Sequence, residues 1–174
     1  LRMKTLVLIA LFSLTPIIAD AQNTSVYTKL DEKSCKTLDS NPDEGGSYLG
    51  ECKGVGGYKL QVLEGDLRQS VNVIGPGRKK TELNFWNISG GFSSLGEQAE
   101  WRMRGKMPVA LIVRYNVSED PEDASKTVSY LVVVKIAKNS ICITEALKPT
   151  RSHNMEARRA ADKSQNRPCR YLNT

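Results

Sequence analysis

Glu51–Ile74 reads ECKGVGGYKLQVLEGDLRQSVNVI: a cysteine, glycines at 54, 56 and 57, then two alternating stretches around Glu64-Gly65-Asp66. Glycine takes positive φ at no steric cost, so the glycine run permits a tight entry into a sheet. Tyr58, Leu60 and Val62 share one face of the first stretch, and Leu67, Val71 and Val73 one face of the second. The residues between them, Lys59, Gln61, Arg68, Ser70 and Asn72, are polar. Period-two alternation of this kind predicts a sheet with one wet face. Gly65 suits the hairpin that would join the two strands.

The same reading extends toward the C-terminus. Gly75-Pro76-Gly77 forms a turn before Lys80–Trp86, where Leu83 and Phe85 point inward, and residues 89–96 form a glycine-rich loop. Ala99, Trp101 and Met103 alternate with Glu100, Arg102 and Arg104, and Met107–Val117 follows as a stronger strand. The acidic segment 118–126 must be solvated, whereas Val128–Ala137 is apolar on both faces and is expected to be the most buried strand. Ser140–Ala146 adds a last strand carrying Cys142. A single helix is predicted over Met155–Ser164, capped by Asn154, with Ala157, Ala160 and Ala161 as the stripe facing the sheet. The expected fold class is mainly β (α+β): an antiparallel sheet, sandwich or open barrel of about seven strands with one C-terminal helix.

Upstream of Glu51 the pattern weakens. Thr37–Gly50 is rich in Asp, Asn, Pro, Gly and Ser and reads as a surface loop, and residues 22–33 read as a loose polar arm. Residues 1–21 have a basic start (Arg2, Lys4), an apolar centre too short to span a bilayer comfortably, and Ala19-Asp20-Ala21, the pattern of a secretory signal peptide. The expected organisation is therefore a signal at 1–21 and one disulfide-stabilised β-rich domain at 22–174, exported to the periplasm or the extracellular space. Four cysteines behind a signal imply an oxidising compartment and two disulfides. Of the three possible pairings, Cys35–Cys52 and Cys142–Cys169 close short loops at either end, each stabilising by roughly 3 kcal/mol.

The chain carries a net charge of +6, concentrated in Arg78-Lys79-Lys80 and in the C-terminal arginines and lysines. Such a surplus favours anionic partners, either envelope polymers or acidic proteins. Export and sparse aromatics among the basic residues argue against nucleic acid. The glycines at 54–57 lack the G-K-[ST] of a phosphate loop. His153, the one histidine, sits at a helix start with no nucleophile elbow to serve. The cysteines lack metal-ligand spacing, so neither a metal nor a cofactor is expected. Glu64, Asp66, Glu97 and Glu100 are the acids eligible for glycoside hydrolysis. Asp66-x-Arg68 and Glu100-x-Arg102 each set an acid and an arginine on one strand face. Pairs of this kind ordinarily decorate a wet face. The sharper reading makes Arg68, Arg102 and Trp86 a recognition surface for a carboxylate or a sugar.

ECKGVGGYKLQVLEGDLRQSV, AEWR at Ala99–Arg102 and the closing ARRAADKSQNRPC together resemble a group of exported bacterial proteins without an assigned activity. That resemblance implies a periplasmic location and supplies no site residues. A looser likeness is to periplasmic lysozyme inhibitors, from which this basic chain departs in charge; only the acidic stretch Glu119–Asp123 points that way. The expected function is a non-catalytic binding protein engaging an envelope protein or an anionic glycan. The alternatives are a cell-wall hydrolase using paired carboxylates, a carrier of a small apolar ligand, and an inhibitor of the lysozyme-inhibitor kind.

Overall fold

The computed structural model describes residues 23–43 and 46–170; the expected signal segment lies outside them. Ten strands form among the described residues. They are β1 (Thr24–Lys29), β2 (Cys35–Asn41), β3 (Ser47–Lys53), β4 (Lys59–Gly65), β5 (Arg68–Ile74), β6 (Lys80–Glu82), β7 (Ser93–Arg104), β8 (Met107–Ser118), β9 (Thr127–Ala137) and β10 (Ser140–Leu147). One helix, α1 (His153–Asp162), follows, and 3-10 turns occupy Phe85–Asn87 and Ser164–Asn166. The strands join in one unclosed sheet, β10-β9-β8-β7-β5-β4-β3-β2, with β1 added on β7 and β6 on β5.

The expected count of about seven strands is corrected to ten: β1, β2 and β3 arise where a loose arm and a surface loop were expected. β2 pairs with β3 residue for residue from Cys35↔Cys52 to Asn41↔Ser47, apart from one bulge. The expected loop shrinks to the few residues between them. In β2 only Cys35 is buried, so its backbone pairing carries no hydrophobic alternation to read. The expectation of a wholly antiparallel sheet is also corrected. Arg68 of β5 bridges Ser93 of β7 in parallel, because the connection between these strands returns to the end from which β5 started. Gln69 fastens this junction: its Oε1 accepts from Leu95 N at 2.8 Å and its Nε2 donates to Glu64 at 2.7 Å.

Beyond that junction β7 takes β1 along Gln98–Met103, while β5 takes β6. The sheet divides there and its two halves close on one core. Leu60, Val62, Val71 and Val73 from β4 and β5 pack with Ala99, Trp101, Val113, Tyr115, Val132 and Val134 from β7 to β9. Trp101, Tyr115 and Phe85 are fully buried and fill the interior, Phe85 meeting Tyr115 edge to face at 5.4 Å. Trp101 Nε1 donates to Thr28 Oγ1 at 2.9 Å, and that hydroxyl donates to Lys53 O at 3.1 Å. Leu83 and Phe85 point inward as expected, although only Lys80–Glu82 of that segment is strand.

The wet face is narrower than expected. Ser70 and Asn72 are buried, and Ser70 Oγ accepts from Phe85 N at 3.1 Å. On the outer face of β8 and β9, Ala110, Ile112, Leu131 and Val133 pack against Ala157 and Ala161 of α1, so β8 shares with β9 the deep burial expected of β9 alone. Alanines allow this close approach. The helix starts earlier than predicted: Ser152 is its N-cap and Asn154 is helical, while the Thr150 and Ser152 hydroxyls both donate to Glu156. Both disulfides pair as expected, Cys35–Cys52 and Cys142–Cys169.

The glycine-run entry places Gly56 and Gly57 at φ 58° and 82°. The β4–β5 turn departs from expectation: its left-handed residues are Asp66 (φ 53°) and Leu67 (φ 57°), while Gly65 is the last residue of β4. A two-residue turn of this shape favours glycine at its second position, and Leu67 is instead a half-exposed apolar residue outside the core. Leu67→Gly is therefore expected to stabilise the fold by about 1 kcal/mol, read as a rise in the urea midpoint at unchanged slope; a fall would show that Leu67 supplies packing that outweighs its backbone strain.

Candidate functional site

Antiparallel strands put their turns alternately at two ends of the sheet, and this chain charges the two ends oppositely. At one end lie residues 42–43 and the 66–67, 88–92 and 119–126 segments, with Asp43, Asp66, Glu119, Asp120, Glu122 and Asp123. At the other lie the 54–58, 75–79, 105–106 and 138–139 turns, with Lys53, Arg78, Lys79, Lys106 and Lys138 all exposed.

The acidic end holds a cleft of about 630 Å³, lined by Arg68, Ser89–Phe92, Ser118–Pro121 and Ala124. Gly91 makes it possible, since a Cβ there would lie 1.8 Å from Ser118 O. The loop is pinned to the strand ends by Ser118 N donating to Phe92 O and Ser93 N to Leu67 O, each at 2.9 Å. Tyr115 donates its hydroxyl to Ser89 O at 2.8 Å. Burial pushes the Tyr115 phenol above its ordinary value, against a Ser93 hydrogen bond and the nearby Arg68 charge, which pull it down. Across the cleft, Asp120 is held below the usual carboxylate range, first by Lys126 and then by Glu122 N. Glu119 accepts from Tyr130 OH. The acids of this wall are thus already engaged, whereas Arg68 uses only Nη2, donating to Asp66 at 3.0 Å, and its Nε is buried without a partner.

Arg68, Trp86 and Arg102 are not brought together. Arg68 and Arg102 stand at opposite ends of β7, at its Ser93 bridge and within its last residues respectively, roughly 30 Å apart at about 3.3 Å per residue. Trp86 is half exposed in the 3-10 turn after Asn84. Arg102 is buried: Nε and Nη2 grip Asp162 at 2.8 and 2.9 Å, Nη1 donates to Ser25 at 2.6 Å and Nη2 to Asn23 O at 2.9 Å. Glu100 receives Arg158 at 2.7 Å and Ser25. The Glu100–Arg102 pair expected on a wet face is therefore a mostly buried clamp, 13% and 8% exposed, joining β1 and α1 to β7. The Asp66–Arg68 pair, with Asp66 77% exposed, is the solvated one. Of the eligible hydrolytic acids, Glu64, Asp66 and Glu100 are bonded to Gln69, Arg68 and Arg158 respectively. His153 Nε2 lies 3.0 Å from Leu147 O at the helix start. The described residues hold no cluster of His, Cys, Asp and Glu fit for a metal ion.

The basic end carries a groove of about 550 Å³ bordered by Glu51, Lys59, Gln61, Gly75, Arg78 and Lys80. A smaller one of about 250 Å³ follows across the same turn, bordered by Tyr58, Lys79, Lys138 and Ser140. Lys59 and Lys80 have acidic neighbours, Glu51 and Glu82. No carboxylate among the described residues lies within 4 Å of Arg78, Lys79 or Lys138. Sequence reasoning saw Arg78-Lys79-Lys80 as a cluster but missed its junction with Lys138, and it missed Phe92 and Leu67 beside Arg68. An apolar residue in a glycine loop and another at a turn position that favours glycine were the available signals.

The Arg102 clamp has a pH signature. Burial raises Asp162, but hydrogen bonds from Arg102 and Asn23 and the Arg102 charge outweigh it and hold the carboxyl below its ordinary value of 3.8. A carboxyl depressed on folding contributes stability that is full above its unfolded value and lost as pH falls through the folded one. The urea midpoint of the native chain should exceed that of Asp162→Asn by a constant margin at pH 5–7, a margin that shrinks only below about 4; a margin independent of pH would remove the carboxylate from the clamp. No family model, curated protein or solved structure matches the chain.

Proposed function

We propose that this is a non-catalytic binding protein of an oxidising, exported environment that holds an anionic glycan against its basic end. The observation that carries the reading is the convergence of Arg78, Lys79 and Lys138 around two adjoining grooves, where the one lining acid, Glu51, is paired with Lys59. Cations mounted on separate turns of a rigid sheet are held apart without any cost of ordering at the moment of binding. Their field adds up over the grooves and steers an anionic chain toward them. Gln61 and Tyr58 supply a hydrogen-bonding amide and a ring for sugar hydroxyls and faces. The two disulfides fit an oxidising environment. Of the acids considered for hydrolysis, Glu64 and Glu100 are engaged by Gln69 and Arg158, which favours binding over hydrolysis at those two.

Polygalacturonate serves as a test ligand, with neutral dextran as its control. The oxidised chain is expected to retain polygalacturonate at low salt, to ignore dextran, and to lose affinity steeply as salt rises. Lys79→Glu combined with Lys138→Glu should weaken retention by roughly tenfold or more. Retention indifferent to these reversals, or equal for dextran, would overturn the reading.

A further inference from the structure

The cleft at the acidic end is a second site of different chemistry. Its volume of about 630 Å³ falls within the range of small-molecule sites, roughly 300–1,000 Å³. Three features bear on it, Arg68 and Phe92 in its lining and Leu67 next to Arg68 in the chain. The first is Arg68, an arginine with one of its three nitrogens satisfied by Asp66 and with Nε buried and unpartnered. A buried donor left without an acceptor is costly, and a guanidinium offers a planar fork matched to a carboxylate. The second is an exposed apolar pair. Phe92 is 48% exposed and Leu67 53% exposed, and the Ser93 N–Leu67 O bond holds the two segments side by side. The third is backbone strain: Leu67 takes a left-handed conformation at φ 57°, which a glycine would adopt freely. An apolar side chain kept at a strained and solvated position, beside a cleft, points to contact with something that lies there.

From this geometry we infer that the Arg68 cleft binds a small monocarboxylate with an apolar, ring-bearing or chain-like body. Arg68 takes the carboxylate. Phe92 and Pro121 hold the body between the 88–92 and 118–126 loops, with Leu67 at the mouth. The ligand bears a single negative charge, because Glu119 and Asp120 form the facing wall and repel a second. Those acids are occupied by Tyr130 and Lys126, so they do not compete for Arg68. Backbone N–H and C=O groups of Gly90 and Gly91, bare of side chains, remain accessible for a polar substituent. This site is distinct from the basic grooves, which lie at the other end of the strands.

The test is a titration of the oxidised, ¹⁵N-labelled chain with 4-phenylbutyrate, followed by NMR, with 4-phenylbutanol as the uncharged control. The expected result is a saturable shift of the Arg68 Nε–H and of the Gly90, Gly91 and Phe92 amides. The alcohol should bind roughly tenfold more weakly or worse, as should 4-phenylbutyrate to Arg68→Lys, which keeps the charge but not the fork. Phe92→Ala should weaken it severalfold, and the Lys79→Glu, Lys138→Glu double variant should leave it unchanged. If Arg68→Lys fails to fold, the Arg68 Nε–H of the native chain still reports the contact. Absence of a saturable shift, an equal response to the alcohol, or shifts confined to the 75–79 and 138–139 turns would overturn the assignment.

Discussion

A buried indole must find an acceptor for its N–H, and the way Trp101 does so holds this sheet in its folded-over form. Its partner is Thr28 Oγ1, whose own proton goes to Lys53 O. One hydroxyl thus links β7, β1 and β3, strands from both halves of the divided sheet. Without β1 alongside β7 the indole would be an orphaned donor in an apolar core, at a cost of about 1–3 kcal/mol. Tyr58, at the end of the glycine-run turn, closes the other side of the ring with centroids 6.0 Å apart. The opening stretch of the fold, from the glycine run into β4, is therefore organised around a tryptophan more than forty residues downstream.

Once the halves meet over Trp101, the distribution of charge follows from topology. Nearly all the strand pairings are antiparallel, so each hairpin turn falls at one end or the other and its residues are solvated whatever the core requires. Selection on turn residues can then charge one end without disturbing packing. The chain has used this freedom twice: lysines and Arg78 at one end, and aspartates and glutamates at the other. The net surplus of +6 is spread unevenly: Glu51 and Glu82 temper Lys59 and Lys80 at the basic end, while Arg78, Lys79 and Lys138 have no such neighbour among the described residues.

Much of this was legible in the sequence and the remainder was hidden for definable reasons. β4, β5, β8, β9 and β10 bury one face or two and show it as period-two or continuous apolar runs. β1 and β2 each bury a single residue, Thr28 and Cys35; they exist because neighbouring strands offer backbone partners, which leaves no mark in hydropathy. Cysteine spacing gave the disulfides, because Cys35 and Cys52 face each other across β2 and β3. The alanine stripe located α1, while its cap was misplaced by two residues because Asn154 and Ser152 are chemically equivalent candidates. The cleft was the least legible part. Its walls come from three turns whose proximity depends on the parallel bridge between Arg68 and Ser93, and nothing local foretells that bridge.

The two acid-x-arginine pairs show where local reading ends. Asp66-x-Arg68 and Glu100-x-Arg102 have the same spacing and the same chemistry, and each does form an ion pair. What separates them is the neighbour. Beside Glu100 and Arg102 lie β1 and the end of α1, which bring Ser25, Asn23, Arg158 and Asp162 and remove the pair from water. Charges buried so thoroughly must be matched donor for acceptor, since each unmatched one would cost several kcal/mol; the match is what makes the clamp structural. Beside Asp66 and Arg68 no strand covers the pair, only the loop kept close by Gly91. Arg68 retains an unpartnered Nε beside the cleft that the surrounding loops enclose. Equal motifs become scaffold or site according to what packs over them, and here a strand covers one while a glycine loop leaves the other open.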